Sequence, residues 1–229
     1  MNGVAADAER AAATWRALAP LLAGRDRVRI SRDGGRNYHR RWERALSETL
    51  PHQPAAVPLY TATGECRVIV IDLDSSRGGI PAVHRDADTT TELVHRCGGQ
   101  LIRDHSPNGG VHLYIPLATP IGFHDARNLA LALATRLPTM DPTPNHNLTD
   151  GLIRPPGSRH RTGGFQTLEG SLDTAQRLAR AGNSQRVLTA LRHELGHELD
   201  HLARRLNQGA VTEVTTGQAE DPRRPLTGR

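Results

Sequence analysis

Residues 67–74 read Arg67-Val68-Ile69-Val70-Ile71-Asp72-Leu73-Asp74, and no other stretch constrains the fold so strongly. Four consecutive β-branched residues favour an extended strand that is buried. Asp72 and Asp74 end that strand two positions apart, so the period of two points both carboxylates to one face. Adjacent carboxylates repel unless a cation lies between them, which suits a divalent metal. An oxygen-only donor pair favours Mg²⁺ or Mn²⁺ over zinc. Alone, the same pair also describes a solvated strand end.

Around this strand the periodicity predicts an α/β (α+β) fold, with one central mixed or antiparallel sheet flanked by helices and a C-terminal helical segment. Helices are predicted over 5–22, with Trp15, Leu18 and Leu22 in register, and over 38–50. The proline-rich stretch 51–58 reads as a connector. Pro58-Leu-Tyr, a turn at Thr63-Gly64 and the β-branched run read as a hairpin. A crossover helix is predicted over 88–96, short strands over 100–103, 111–115 and 151–154, an apolar helix over 125–137 and a loop over 138–144. Polar helices are predicted over 175–181 and 184–206. The organisation is then an N-terminal helical part (1–50), a core (51–172), C-terminal helices (173–206) and a disordered tail or linker (207–229).

Two further motifs carry chemistry. Ser106-Pro-Asn-Gly109-Gly110-Val-His112-Leu-Tyr114 places a glycine turn, whose N–H groups can approach an anion, beside a strand bearing a histidine. An ordinary glycine hairpin is the simpler reading of that motif alone. Ile153-Arg154-Pro-Pro-Gly-Ser158-Arg-His-Arg161-Thr-Gly-Gly164 gathers arginines, a histidine and a hydroxyl on a loop stiffened by proline, able to hold an anion at little entropic cost.

Taken in this order and spacing, Ile71-Asp-Leu-Asp74, the Ser106–Tyr114 motif and Arg154-Pro-Pro-Gly-Ser158 resemble the archaeo-eukaryotic primase superfamily. The likeness is to the bifunctional primase-polymerase domains of plasmids, phages and integrative elements, and runs from about residue 38 to about residue 168. The resemblance implies a DNA-directed nucleotidyltransferase, a primase or primer-extending polymerase working by two-metal catalysis in mobile-element replication. It implies Asp72, Asp74 and a third aspartate as metal ligands, with Asp141 preferred and Asp150 the competitor. His112, Ser106, Gly109, Gly110, Arg154, Ser158 and Arg161 are then expected to handle the nucleotide, His112 also acting in catalysis. Single-stranded DNA template and nucleoside triphosphates are the implied partners, and a helicase in cis or in trans would suit the charged C-terminal stretch. Some relatives carry a zinc module that helps hold the initiating nucleotide. Without one, extension is better supported here than priming.

Composition trims the alternatives. All 29 basic residues are arginine, against 24 acidic ones. Arginine suits phosphate, although an excess of five does not by itself demand a nucleic-acid partner. Cys66 and Cys97 are too few for a CxxC-type zinc site or a disulfide framework. There is no signal pattern or membrane span, so a cytoplasmic protein without a membrane partner is expected. His193-Glu194-Leu-Gly-His197 matches the HExxH pattern of zinc-dependent hydrolases, with His201 four residues on. A polar surface helix is the simpler account. A non-catalytic nucleic-acid-binding replication protein on the same fold would be marked by a broken acidic pair, and a metal-dependent nuclease by the lack of a nucleotide-handling loop.

Overall fold

The computed structural model describes residues 2–205. In chain order the elements are helix α1 (Asn2–Leu22), strands β1 (Arg27–Ile30), β2 (Glu43–Ala45), β3 (Ala55–Pro58) and β4 (Glu65–Leu73), and helix α2 (Ile80–Arg96). Strands β5 (Ile102–His105) and β6 (Val111–Gly122) follow, then helix α3 (Phe123–Arg136), strand β7 (Met140–Asp141) and the short helix α4 (Thr143–His146). Strands β8 (Leu152–Ile153) and β9 (Thr167–Leu168) precede helices α5 (Leu172–Ala181) and α6 (Gln185–Glu194). Residues 196–205 are again helical.

The β-branched run forms β4. Val68, Ile69, Val70 and Ile71 are each at most 2% exposed, because β4 runs inside a five-stranded sheet of order β7-β4-β6-β5-β9, against which α2, α3, α5 and α6 pack. Its partner β7 is only two residues long. Beyond it the buried Asn145 side chain takes over the pairing, accepting from Val70 N at 3.2 Å and donating to Val70 O. A buried amide thus completes a strand edge that would otherwise leave peptide groups unpaired.

A second sheet, of order β2-β1-β3-β8, packs beside the first, and every named strand pair is antiparallel. The α+β class stands. The central sheet takes the antiparallel one of the two expected forms, and a second antiparallel sheet accompanies it.

Three local expectations are corrected. Residues 38–50 form no α-helix: a 3₁₀ turn at Arg40–Trp42 leads into β2. Pairing with β1 and the reach of Arg29 Nε to Glu43 Oε2 (2.8 Å) override the local helical pattern. The N-terminal part is therefore helical only in α1. Residues 55–58 are no connector but the fully buried strand β3. The hairpin expected from Pro58 to Asp74 does not form, since β3 pairs with β1 and β8 while β4 pairs with β6 and β7. The turn at Thr61–Glu65 carries the chain from one sheet to the other.

At the C-terminal end, Leu195 interrupts the predicted helix over 184–206. The segment after it is clamped to α3 by Arg136, whose Nε and Nη2 donate to the Glu198 carboxylate at 2.6 and 2.7 Å. The tail predicted over 207–229 lies outside the described residues. Among the described residues no helix is long and apolar enough to cross a membrane.

Gly157 shows how tightly the basic loop is seated. Its φ is +87°, and a Cβ there would lie 2.4 Å from Ala11 O and 2.6 Å from Trp15 N of α1. Left-handed strain and backbone overlap act together at this position. Gly157→Ala is expected to cost about 2 kcal/mol or more in denaturant unfolding, whereas Gly163→Ala, which has open space around it, pays only the strain of its own positive φ.

Candidate active site

Strand register builds one row of polar side chains across the five-stranded sheet. Asp72 lies opposite Asp141 on one side and His112 on the other, and His112 lies opposite Asp104. Directly paired residues share a face, so the order Asp141–Asp72–His112–Asp104 follows from pairing alone. Asp74 is just past the strand end. Its N–H donates to Thr139 O (2.9 Å) and its Oδ1 accepts from Ser76 N (2.8 Å), capping the turn that follows. Asp141 Oδ1 accepts from Thr143 Oγ1 (2.7 Å) and lies 3.4 Å from Arg77 Nη2.

His112, 2% exposed, is held from all sides. Its Nδ1 lies 3.1 Å from Asp104 Oδ1 and 3.2 Å from the Tyr114 hydroxyl, and its Nε2 lies 3.4 Å from Asp72 Oδ1. The Tyr114 hydroxyl shares its one proton between Asp104 Oδ2 (2.8 Å) and Arg154 O (3.0 Å). Burial favours the neutral imidazole, but the Asp104 and Asp72 carboxylates outweigh it and raise the His112 pKa. The Gln166 amide sits 2.9 Å from Nδ1 through Nε2, while its Oε1 is buried without a partner. An imidazolium has only donors, so it is better faced by Oε1, and that amide orientation satisfies both groups.

Asp72 keeps 26% of its side chain exposed. Its pKa is raised, first by burial and then by the Asp141 and Asp74 charges, against the opposing pull of His112 and Arg154. The row therefore carries negative charge that the protein only partly offsets.

Basic and aromatic side chains share the same space. Arg36, Tyr38 and Arg154 line, together with Asp72, His112 and Asp141, a cavity of about 360 Å³. The loop carrying Arg36 is tied by Asp33, whose carboxylate accepts from Ser31 Oγ, Arg36 N, Asn37 N and Asn37 Nδ2. Near Arg154 several buried polar atoms have no protein partner: Tyr38 Oη, Arg154 Nε, Ser158 Oγ and His160 Nε2. Buried polar groups are nearly always paired, so this group of orphans marks where a polar ligand can be received. His160 is not a cation there. Burial, helped by Arg154, Arg161 and His112, lowers its pKa to about 4.

The predicted site residues separate on these grounds. Asp72, Asp141, His112 and Arg154 line the cavity, and so does Asp150. Asp150, however, is ion-paired to Arg29 Nη1 (2.6 Å) and Arg40 Nε (3.3 Å). Ser106, Gly109 and Gly110 do not line it. The Ser106 hydroxyl is spent closing its own turn, accepting from Gly110 N at 3.0 Å, and Gly109 answers to a φ of +82° and the Ile80 side chain. Arg161 is exposed and stands by Gly35 at the rim. Arg36, Tyr38, Asp104 and Gln166 were not anticipated. A charged residue alternating with Ile102 on the inward face of β5 is the one signal that points to Asp104.

The HExxH residues do not assemble a site. The helix breaks at Leu195 inside the motif, His193 and His197 are exposed, and Glu194 faces Arg96 at 3.8 Å. Among the described residues no three His, Cys, Asp or Glu side chains converge as a ready-made metal cage. For Mg²⁺ that is no obstacle at the aspartate row, because such ions are commonly held by one or two carboxylates and complete their shell with phosphate and water. Two cavity-lining carboxylates, Asp72 and Asp141, whose charge is only partly offset fit that description.

No family model and no curated protein matches the sequence. Solved structures of similar fold include the following two. The polymerase domain of Mycobacterium tuberculosis Ligase D in complex with DNA superposes with a TM-score of 0.50 at 18% identity, covering 77% of this chain and 90% of that one. Primase RepB′ superposes with a TM-score of 0.55 at 12% identity, covering 91% of this chain and 69% of that one.

Proposed function

We propose that this chain, whose fold is that of the primase-polymerases, is a template-directed nucleotidyltransferase. The observation that carries the reading is the cross-strand row Asp141–Asp72–His112 in a cavity that Arg36, Tyr38 and Arg154 also line. Carboxylates and guanidinium groups gathered in one pocket are what a triphosphate with its counter-ions requires.

In this reading a primer 3′-hydroxyl attacks the α-phosphorus of a nucleoside triphosphate. A new phosphodiester bond forms, the bond to the β-phosphate oxygen breaks, pyrophosphate leaves and the hydroxyl proton passes to water. Asp72, Asp74 and Asp141 would hold Mg²⁺ or Mn²⁺, which supplies when bound a more acidic hydroxyl and charge neutralisation on the triphosphate. His112, whose pKa the Asp104 and Asp72 carboxylates raise against burial, favours its cationic form at the edge of the carboxylate row. Arg154 and Arg36 receive phosphate oxygens in the same cavity, and the Tyr38 hydroxyl is free to donate there. A helicase partner would act beyond the described residues.

The test is nucleotide incorporation on single-stranded DNA with Mg²⁺ or Mn²⁺, with and without an annealed primer. Product on primed template supports the reading, and product without a primer adds de novo priming. Failure under every metal and nucleotide combination overturns it. Within the site, Arg154→Ala is expected to raise the KM for nucleotide about tenfold to a hundredfold, the value of one charge-assisted hydrogen bond, roughly 1.5–3 kcal/mol. Arg161→Ala, exposed at the rim, should do far less. Steady-state nucleotide titrations on both variants check the ranking.

A further inference from the structure

The chain's positive charge is concentrated in one short segment. Residues 25–44 hold eight arginines against Asp26, Asp33 and Glu43, an excess of five, and the excess of the whole chain is also five. The remainder of the molecule is therefore neutral overall. Within the segment Glu43 is engaged by Arg25 and Arg29, and Asp33 by its own loop. Among the described residues Arg32, Arg36, Arg41 and Arg44 form no ion pair, and all four are exposed.

An aromatic ring sits among them. Trp42 is half-buried, with the Arg41 guanidinium 5.0 Å and the Arg32 guanidinium 5.9 Å from its ring centre. The His39 ring meets it edge-on at 4.8 Å. His39 in turn lines a trough of about 580 Å³, together with Arg36, Asn37, Tyr38 and Arg40. It shares Arg36 and Tyr38 with the catalytic cavity. The one acidic group in its lining, Asp150, is neutralised by Arg29 and Arg40. The trough thus runs from His39, the neighbour of Trp42, to the cavity of the aspartate row.

We propose that this ribbon, residues 32–44, is the track for single-stranded nucleic acid, with one unpaired base stacked on Trp42 and the strand leaving the catalytic cavity over Arg36 and His39. A half-buried indole covered by the ends of exposed Arg41 and Arg32 side chains takes an unpaired base in their place, while the arginines follow the phosphates, a combination that binds single strands with little sequence preference. A base paired in a duplex has no free face to offer. The direction assigned to the strand rests on the nucleotidyltransferase reading, whereas the binding surface rests on charge and ring geometry alone.

Binding is measured by anisotropy of a fluorescein-labelled oligodeoxythymidylate, by quenching of intrinsic fluorescence and by the salt dependence of both. The chain has two tryptophans, and Trp15 is fully buried, so quenching reports Trp42. Arg32→Glu with Arg41→Glu, both on exposed side chains, should weaken binding about tenfold or more and lower the slope of log K against log salt by about 1.4, two phosphate contacts at roughly 0.7 each. Trp42→Phe should retain most of the affinity, while Trp42→Leu should lose about tenfold even if its melting temperature is unchanged. At saturating template the charge-swapped variant should recover the wild-type kcat. Unchanged affinity and slope in that variant, or tighter binding of duplex than of single strand, overturns the proposal while leaving nucleotide incorporation to be judged separately. If the wild type binds through this ribbon but incorporates nothing with either metal, the catalytic reading falls and the binding track stands.

Discussion

Asp72→Asn should abolish nucleotide incorporation, by at least about three orders of magnitude, while leaving the protein as stable as before or more so. The first half follows from the proposed chemistry. The carboxylate stands between Asp141 and His112 on the floor of the cavity, and an amide of the same shape removes the charge that a metal would answer. The second half follows from electrostatics. Burial and the neighbouring Asp141 and Asp74 raise the Asp72 pKa above its ordinary 3.8. Below that ordinary value the carboxyl is neutral in the folded and unfolded chain alike. As pH rises through the raised folded value, the folded state must carry a charge it disfavours, and stability is lost. At neutral pH the asparagine variant escapes this cost, although it also forfeits the 3.4 Å ionic contact with His112 Nε2. Thermal unfolding with and without Mg²⁺ or Mn²⁺ separates the terms. Added metal should raise the wild-type Tm and leave the variant's nearly unmoved. A variant that incorporates nucleotide at the wild-type rate would remove Asp72 from the mechanism.

What could be read from the sequence was what depends on neighbours in the chain. The run 68–71 is local and marks a buried strand that carries Asp72, whereas Asp74, expected on the same face, lies past the strand end and caps the next turn. The helices 2–22, 80–96 and 123–136 are each legible in the sequence, although the expected spans all start late. The segment 38–58 was misread because its structure is dictated by partners elsewhere: β1 for residues 43–45, and β1 and β8 for residues 55–58. The site divides the same way. Gln166 meets His112 across 54 positions, and Asp104 meets it only through the register of β5 on β6. Arg36 and Tyr38 reach the cavity because Asp33 ties their loop, a bond pattern that leaves no periodic trace. Conversely, the Ser106 and Gly109-Gly110 turn looked like an anion cradle because the same residues that close a tight hairpin also expose N–H groups elsewhere. Here the hydroxyl is consumed by the turn itself.

Asp141 and Asp150 are nine residues apart in the sequence and opposite in expected behaviour. Asp141 is paired by register with Asp72 and, apart from hydrogen bonds from Thr143, has as its cation partner the half-exposed Arg77 at 3.4 Å, so much of its charge is available to the cavity. Asp141→Asn should cost several orders of magnitude in incorporation with little change in stability. Asp150 serves the fold. It neutralises Arg29, which is 1% exposed and otherwise has only Glu43 and the Thr149 carbonyl. Removing one partner of a buried cation leaves part of its desolvation uncompensated. Because Asp150 is itself 51% exposed, solvent recovers some of that loss, and about 1 kcal/mol is the expected cost. In a domain of this size that lowers the Tm by roughly 2–4 °C. The Asp150 pKa is held below its ordinary value chiefly by the Arg29 hydrogen bond. Its contribution is therefore present above pH about 3.8 and fades as pH falls through the depressed folded value, so the two proteins should converge in stability in acid. Asp150→Asn should keep most of its activity once the measurement is made well below its Tm. Single-turnover incorporation and urea unfolding on the two variants decide the matter. If Asp150→Asn is the inactive, stable protein and Asp141→Asn the active, weakened one, the third carboxylate belongs on the loop before β8 rather than on β7, and the site moves toward the basic side chains.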